Sequence, residues 1–131
     1  MPYLLDADFV IQALAGKAGA PDILEQLAPE GIAINWLTIG EVYEGAYRSA
    51  NSGIHLATFR QFLRPFRTLD LNDDTMERFA QIRSALRQQG QMIPDFDILL
   101  GATALHYDLT VLTFNFRHLQ RIPELKLYQP G

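Results

Sequence analysis

The chain contains no cysteine, which removes thiol nucleophiles, thiolate-bound zinc and disulfide staples from consideration. It also lacks an apolar run long enough to cross a bilayer. The uncharged segment from Ile98 to Tyr107 falls far short of the ~20 residues a helical span needs. The opening Met1-Pro2-Tyr3-Leu4-Leu5-Asp6 has no basic stretch followed by a long apolar one, so no export leader is expected there. Positive charge is scarce. The 11 Lys and Arg face 15 Asp and Glu, for a net charge of −4 and a pI near 5.2. A generic basic nucleic-acid binder is thereby disfavoured, and any nucleic-acid contact needs a local basic patch or a bridging cation. The expectation is a soluble, cytoplasmic protein with no membrane partner.

What is present is a core. The 131 residues are 48% hydrophobic and include 8 Phe and 5 Tyr. One domain, 1–131, is expected, and a chain of this size buries roughly two-thirds of its unfolded surface without a staple. Tyr3-Leu4-Leu5, Ile32-Ala33-Ile34 and Thr110-Val111-Leu112-Thr113 read as short buried strands. Phe66 to Leu71 and Leu125 to Tyr128 are candidates for two more. Between them lie helical patterns: Phe9, Val10, Ala13 and Leu14 behind an N-cap at Asp8; Asp22 to Ala28 after Pro21; Ile39 to about Ser49; Leu56, Phe59, Phe62 and Leu63 before Pro65; Asn72 to Gly90; and Phe96 to Tyr107. Strands alternating with helices predict an α/β/α domain on a mostly parallel central sheet.

In such sheets ligands bind beyond the carboxyl ends of the strands. Asp6 ends the first strand, Glu41 follows the second by one turn, and Asn115 lies just past the strand ending at Thr113. Asp95 and Asp97 open the helix that feeds that strand. Two carboxylates ~5 Å apart repel by roughly 3 kcal/mol at an effective dielectric of about 20. A cluster of them takes up protons or recruits a cation, and oxygen donors select a hard ion such as Mg²⁺ or Mn²⁺. Such an ion serves phosphodiester chemistry. Several of these acids also have a purely structural reading. Thr38-Ile39-Gly40-Glu41 has the spacing of a capping box, Asp95 suits an N-cap, and Asp97 suits the first turn beside the helix dipole. Asp6, directly after an apolar strand, has no such local explanation.

The segments Leu4-Leu5-Asp6-Ala7-Asp8, Ile34 to Ala46 around Glu41, Ile93 to Leu105 around Asp97, and Leu109 to Leu125 around Asn115 resemble, in this order and spacing, the motifs of PIN-domain proteins, in particular the compact VapC-like toxin ribonucleases. The resemblance covers nearly the whole chain. It implies a Mg²⁺- or Mn²⁺-dependent endoribonuclease that leaves 5′-phosphate and 3′-hydroxyl ends, with Asp6, Glu41 and Asp97 as the acids of the metal site. Asn115 stands where many members have a fourth acid, which weakens the case for a second ion. Position 7 is Ala where Thr or Ser is common, and Gly101 stands where Ala is usual, which suggests close backbone packing. The resemblance also implies an antitoxin bound near the active site and a homodimer.

Asp95, Thr113 and Arg117 are placed to support a ligand or touch phosphate, and His118, close behind Asn115, is a further candidate for phosphate contact. Seven of the 11 basic residues lie between Arg48 and Arg87, most readily as a solvated helix face. Leu56, Phe59, Phe62 and Leu63, with Tyr43 and Tyr47, exceed the expected needs of a small core and offer a groove for a partner helix. Two rivals compete. One is a receiver-type signalling domain with Asp6 and Asp8 as acids, Asp70 as phosphoacceptor and Lys126 as its lysine. The other is a PIN-like domain that binds RNA or protein without cutting.

Overall fold

Short apolar strands buried on both faces need helices above and below them, and the arrangement meets that need. The computed structural model describes residues 2–129. Its strands are β1 (Tyr3–Leu5), β2 (Ile32–Asn35), β3 (Arg67–Leu69), β4 (Thr110–Leu112) and β5 (Lys126–Leu127). Its helices are α1 (Ala7–Leu14), α2 (Ala20–Leu27, followed by a 3₁₀ turn Ala28–Glu30), α3 (Trp36–Tyr47), α4 (Ser52–Leu63), α5 (Asp73–Gln88), α6 (Asp95–Tyr107) and α7 (Phe116–Leu119). The sheet order is β3-β2-β1-β4-β5, and all four pairings are parallel. The expected mostly parallel sheet is thus parallel throughout the described residues.

Strand alternation divides the core in two. Leu5, Ile32, Ile34 and Leu112 point to the side of α1 to α4, where they meet Phe9, Val10, Leu24, Ile39, Val42 and Phe59. Leu4, Ala33, Leu69 and Val111 point to the other side and meet Leu86, Ile98, Leu100, Leu119 and Ile122. The chain leaves β1 toward β2 and β3, then returns to the opposite side of β1 as β4 and β5. The carboxyl ends of β1 and β4 therefore form a topological switch point, the place where such sheets bind ligands.

Three of the helix starts that differ from the sequence reading each free an acid. Helix α1 is capped by Asp6, whose side chain accepts from the Ala7 N–H, so Asp8 is not the cap. Helix α3 begins at Trp36 rather than near Ile39, because buried Asn35 caps it and accepts from the Thr38 N–H at 2.9 Å. Glu41 then lies in the second turn with no capping duty. Helix α6 begins at Asp95 behind Pro94, so Asp95 is its first residue and not its N-cap. By contrast, the long helix opens as expected at Asn72, which forms a reciprocal capping box with Thr75.

The excess of apolar residues on α4 is largely absorbed. Leu56 and Phe59 are buried, and Tyr43, Phe62 and Leu63 pack against the same core, leaving Tyr47 and Ile54 exposed. The receiver-type arrangement does not form. Lys126 pairs in register with Thr110 at the amino edge of the sheet and bonds Asp108 at 2.8 Å, on the opposite edge from Asp6. Asp70 accepts the Trp36 indole N–H.

Gly101 sits where α6 meets the segment after α7. A Cβ there would lie 2.5 Å from Ile122 Cδ1. Alanine asks only the tip of a flexible side chain to move, whereas a larger residue has no room. Gly101→Val is expected to cost ~2 kcal/mol and lower the melting temperature by roughly 5–10 °C. Unchanged thermal unfolding of that variant contradicts this packing.

Candidate active site

Four segments reach the carboxyl edge of the sheet. Asp6 leaves β1 as the α1 cap and is almost wholly buried. Its second oxygen, Oδ2, accepts the Thr113 hydroxyl at 2.6 Å from the end of β4. The Thr113 oxygen in turn accepts the Asn115 backbone N–H at 2.9 Å and lies 3.4 Å from an Asp8 oxygen. Thr113 is thus saturated by three polar neighbours and locks β1, α1 and the start of α7 together.

Asp97, in the first turn of α6, accepts from His118 Nδ1 at 3.0 Å. A carboxylate only accepts, so Nδ1 carries the proton. The Asn115 amide lies 3.4 Å from the same ring nitrogen. Glu41 completes the edge from α3, half-buried in a cleft also lined by Trp36, Leu37, Gly40, Glu44 and Phe96.

The electrostatics show how tightly these acids share space. Burial pushes the Glu41 carboxyl up to about 7, with further upward contributions from Asp6, Asp97 and Glu44. Burial, then the charge of Asp6 and a hydrogen bond with it, raises Asp8 to about 7. Asp97 is also raised, first by burial and further by Asp6, while the His118 hydrogen bond pulls it back down. Asp6, Glu41 and Asp97 are therefore close enough at this edge for Asp6 to act on both of the others and for Asp97 to act on Glu41. They do not close on a common point: among the described residues no three His, Asp or Glu side chains stand together as an ion's ligands. Asp6 is turned to Thr113 and Asp97 to His118. The donor set itself, several carboxylate oxygens whose charges oppose one another, suits a hard divalent cation.

One participant escaped the sequence reading: Asp8 was assigned to a helix cap, yet it shares the Asp6 environment. His118, expected to touch phosphate, turns instead to Asp97, 21 positions away. Of the supporting candidates, Thr113 joins the cluster. Asp95 turns instead to Arg83, 2.9 Å away, and Arg117 is exposed on α7.

Comparison with known proteins agrees with this geometry. The PIN domain family model matches residues 3–125. Ribonuclease VapC2 of Haemophilus influenzae is 27% identical over 128 residues, covering 96% of each chain. The tRNA(fMet)-specific endonuclease VapC of Salmonella typhimurium is 25% identical over 130 residues, covering 97% of this chain and 96% of that protein. Among solved structures, VapBC2 from Rickettsia felis bound to a promoter DNA fragment superposes with a TM-score of 0.91 at 25% identity, covering 98% of both chains.

The raised carboxyls fix the sign of a pH effect. Asp8 and Glu41 keep protons in the folded chain between about pH 4 and about pH 7, where the unfolded chain has lost them. Folding takes up protons in that window, so stability falls as pH rises through it. The metal-free protein is expected to be less stable at about pH 7.5 than at about pH 5, by on the order of 1–2 kcal/mol after allowance for solvent screening. Replacing both residues (Asp8→Asn with Glu41→Gln) flattens the slope. Urea denaturation across this range tests it, and stability that climbs with pH contradicts it.

Proposed function

The chain belongs to the PIN-domain family and is homologous along its length to VapC ribonucleases, and on that premise we propose that it is a metal-dependent endoribonuclease acting as the toxin of a toxin–antitoxin pair. The observation that carries the reading is the crowding of acids at the switch point: Glu41 and Asp97 are half-buried there, the charge of Asp6 reaches both, and Asp97 adds to the pressure on Glu41. These three acids would hold Mg²⁺ or Mn²⁺, with Asn115 as a weaker, neutral oxygen donor. When bound, such a cation would supply neutralisation of phosphate charge and polarisation of the scissile phosphodiester.

The remaining chemistry belongs to the side chains. Thr113 fixes the Asp6 carboxylate in one orientation, and the buried α1 start keeps it there. His118 does the same for Asp97 by donating from Nδ1. Glu41, less constrained and with a proton affinity near neutrality, is placed to take a proton from the attacking water. Hydrolysis in this way leaves 5′-phosphate and 3′-hydroxyl ends. The relative named for tRNA(fMet) cleavage makes transfer RNA the first substrate to test.

A protein partner has its own place. A groove of about 330 Å³ between α1, α3 and α4 is lined by Ile11, Leu14, Val42, Ala46, His55 and Thr58. Ile11 and Leu14 are exposed there, which suits an antitoxin helix. The VapBC assembly among the similar structures supports such a partner, and pairing of two copies is the accompanying proposal.

Incubation with a transfer RNA pool in Mg²⁺ tests the activity. Cleavage is expected to fall ~100-fold or more in chelator and in Asp97→Asn, with the circular dichroism spectrum of the variant unchanged. Full cleavage in either case overturns the proposal.

A further inference from the structure

We propose that the cleft lined by Trp36 and Phe96 is a stacking platform that seats one unpaired base of the RNA beside the carboxylate edge. The inference rests on the nuclease reading and names how that site grips its substrate. Trp36 and Phe96 are 56% and 47% exposed, large losses of burial for two aromatic side chains in a small domain. They come from different elements, the first turns of α3 and α6, yet they line one cleft of about 320 Å³ together with Glu41. Phe96 adjoins Asp97 in the chain. A strand whose phosphate sits at the acids therefore has this cleft beside it.

Trp36 is also oriented. Its indole Nε1–H donates to Asp70 Oδ1 at 2.6 Å, just beyond the end of β3. That bond satisfies the one polar atom of the ring and fixes its edge, while the ring remains more than half exposed. Charge argues for bases as the occupant. The chain carries a net −4, and Arg83, the arginine nearest the start of α6, is already paired with Asp95. Phosphate attraction is weak here, whereas stacking on aromatic faces needs no positive charge and tolerates any base. The platform requires an unstacked base, so loops and single strands are favoured over duplex.

Trp36 is the one tryptophan in the chain, so its emission reports this cleft alone. The test titrates an unstructured, end-labelled hexaribonucleotide in Mg²⁺ into the Asp97→Asn chain. The unmutated chain is followed in parallel by stopped flow before cleavage. Label anisotropy reads binding and tryptophan emission reads stacking. Quenching with the same midpoint as the anisotropy is expected, with much less from a duplex of the same sequence. Trp36→Ala weakens binding about ten-fold by anisotropy, and Trp36→Phe restores most of it. Tyr47→Ala, at the far end of α3 roughly 16 Å away along the axis, leaves binding unchanged. Saturating anisotropy with unaltered emission, and with Trp36→Ala binding as well as the parent, overturns the platform and leaves the nuclease reading standing. Emission that responds to a protein partner and not to RNA also overturns it. Failure of RNA to bind either chain removes both readings together.

Discussion

One hydroxyl holds the carboxyl edge of this sheet together. Thr113 donates to Asp6 at 2.6 Å across the junction of β1 and β4, and accepts the Asn115 N–H on its other side. Asp6 spends its other oxygen on the first amide of α1. A buried carboxylate satisfied from two directions has one orientation, and its charge adds to what burial does to its neighbours. Asp8 and Glu41 are raised toward neutrality, and Asp97 is raised too, with His118 pulling it part of the way back. Its acids are crowded at one edge without closing on a common point.

The apolar framework was readable in the sequence because it obeys local rules. Tyr3-Leu4-Leu5 and Ile32-Ala33-Ile34 are short runs buried on both faces, and the helices between them follow a 3.6-residue period. The motif order also picked out Asp6, Glu41 and Asp97, whose charges act on one another at the carboxyl edge without closing on one point. What failed was the assignment of caps. Asn35 outcompetes Thr38 because its amide is buried and also reaches the Thr103 hydroxyl on α6, a partner 68 positions away. Asp6 displaces Asp8 for a similar reason, since Thr113 anchors it from β4. Capping rules see a window of four residues, and these choices are decided across the sheet. The place of Asp8 beside Asp6 and the turn of His118 to Asp97 were missed on the same account.

The molecule separates its tasks by surface. The carboxyl edge carries the clustered acids, the α1–α3–α4 face carries the apolar groove, and the first turns of α3 and α6 carry the exposed aromatic pair. Helix α3 serves all three, through Glu41, through Val42 and Ala46, and through Trp36. That economy follows from its early start at Trp36. A helix beginning at Ile39 would have no Trp36 in its first turn.

The account turns on the carboxylates giving up protons to an incoming cation. Calorimetric titration of Mg²⁺ or Mn²⁺ at about pH 7, repeated in buffers of different ionisation enthalpy, measures this directly. Binding that expels about one proton, and that disappears in Asp6→Asn, is the predicted result. Binding heats that do not depend on the buffer, or binding that survives loss of Asp6, would contradict it.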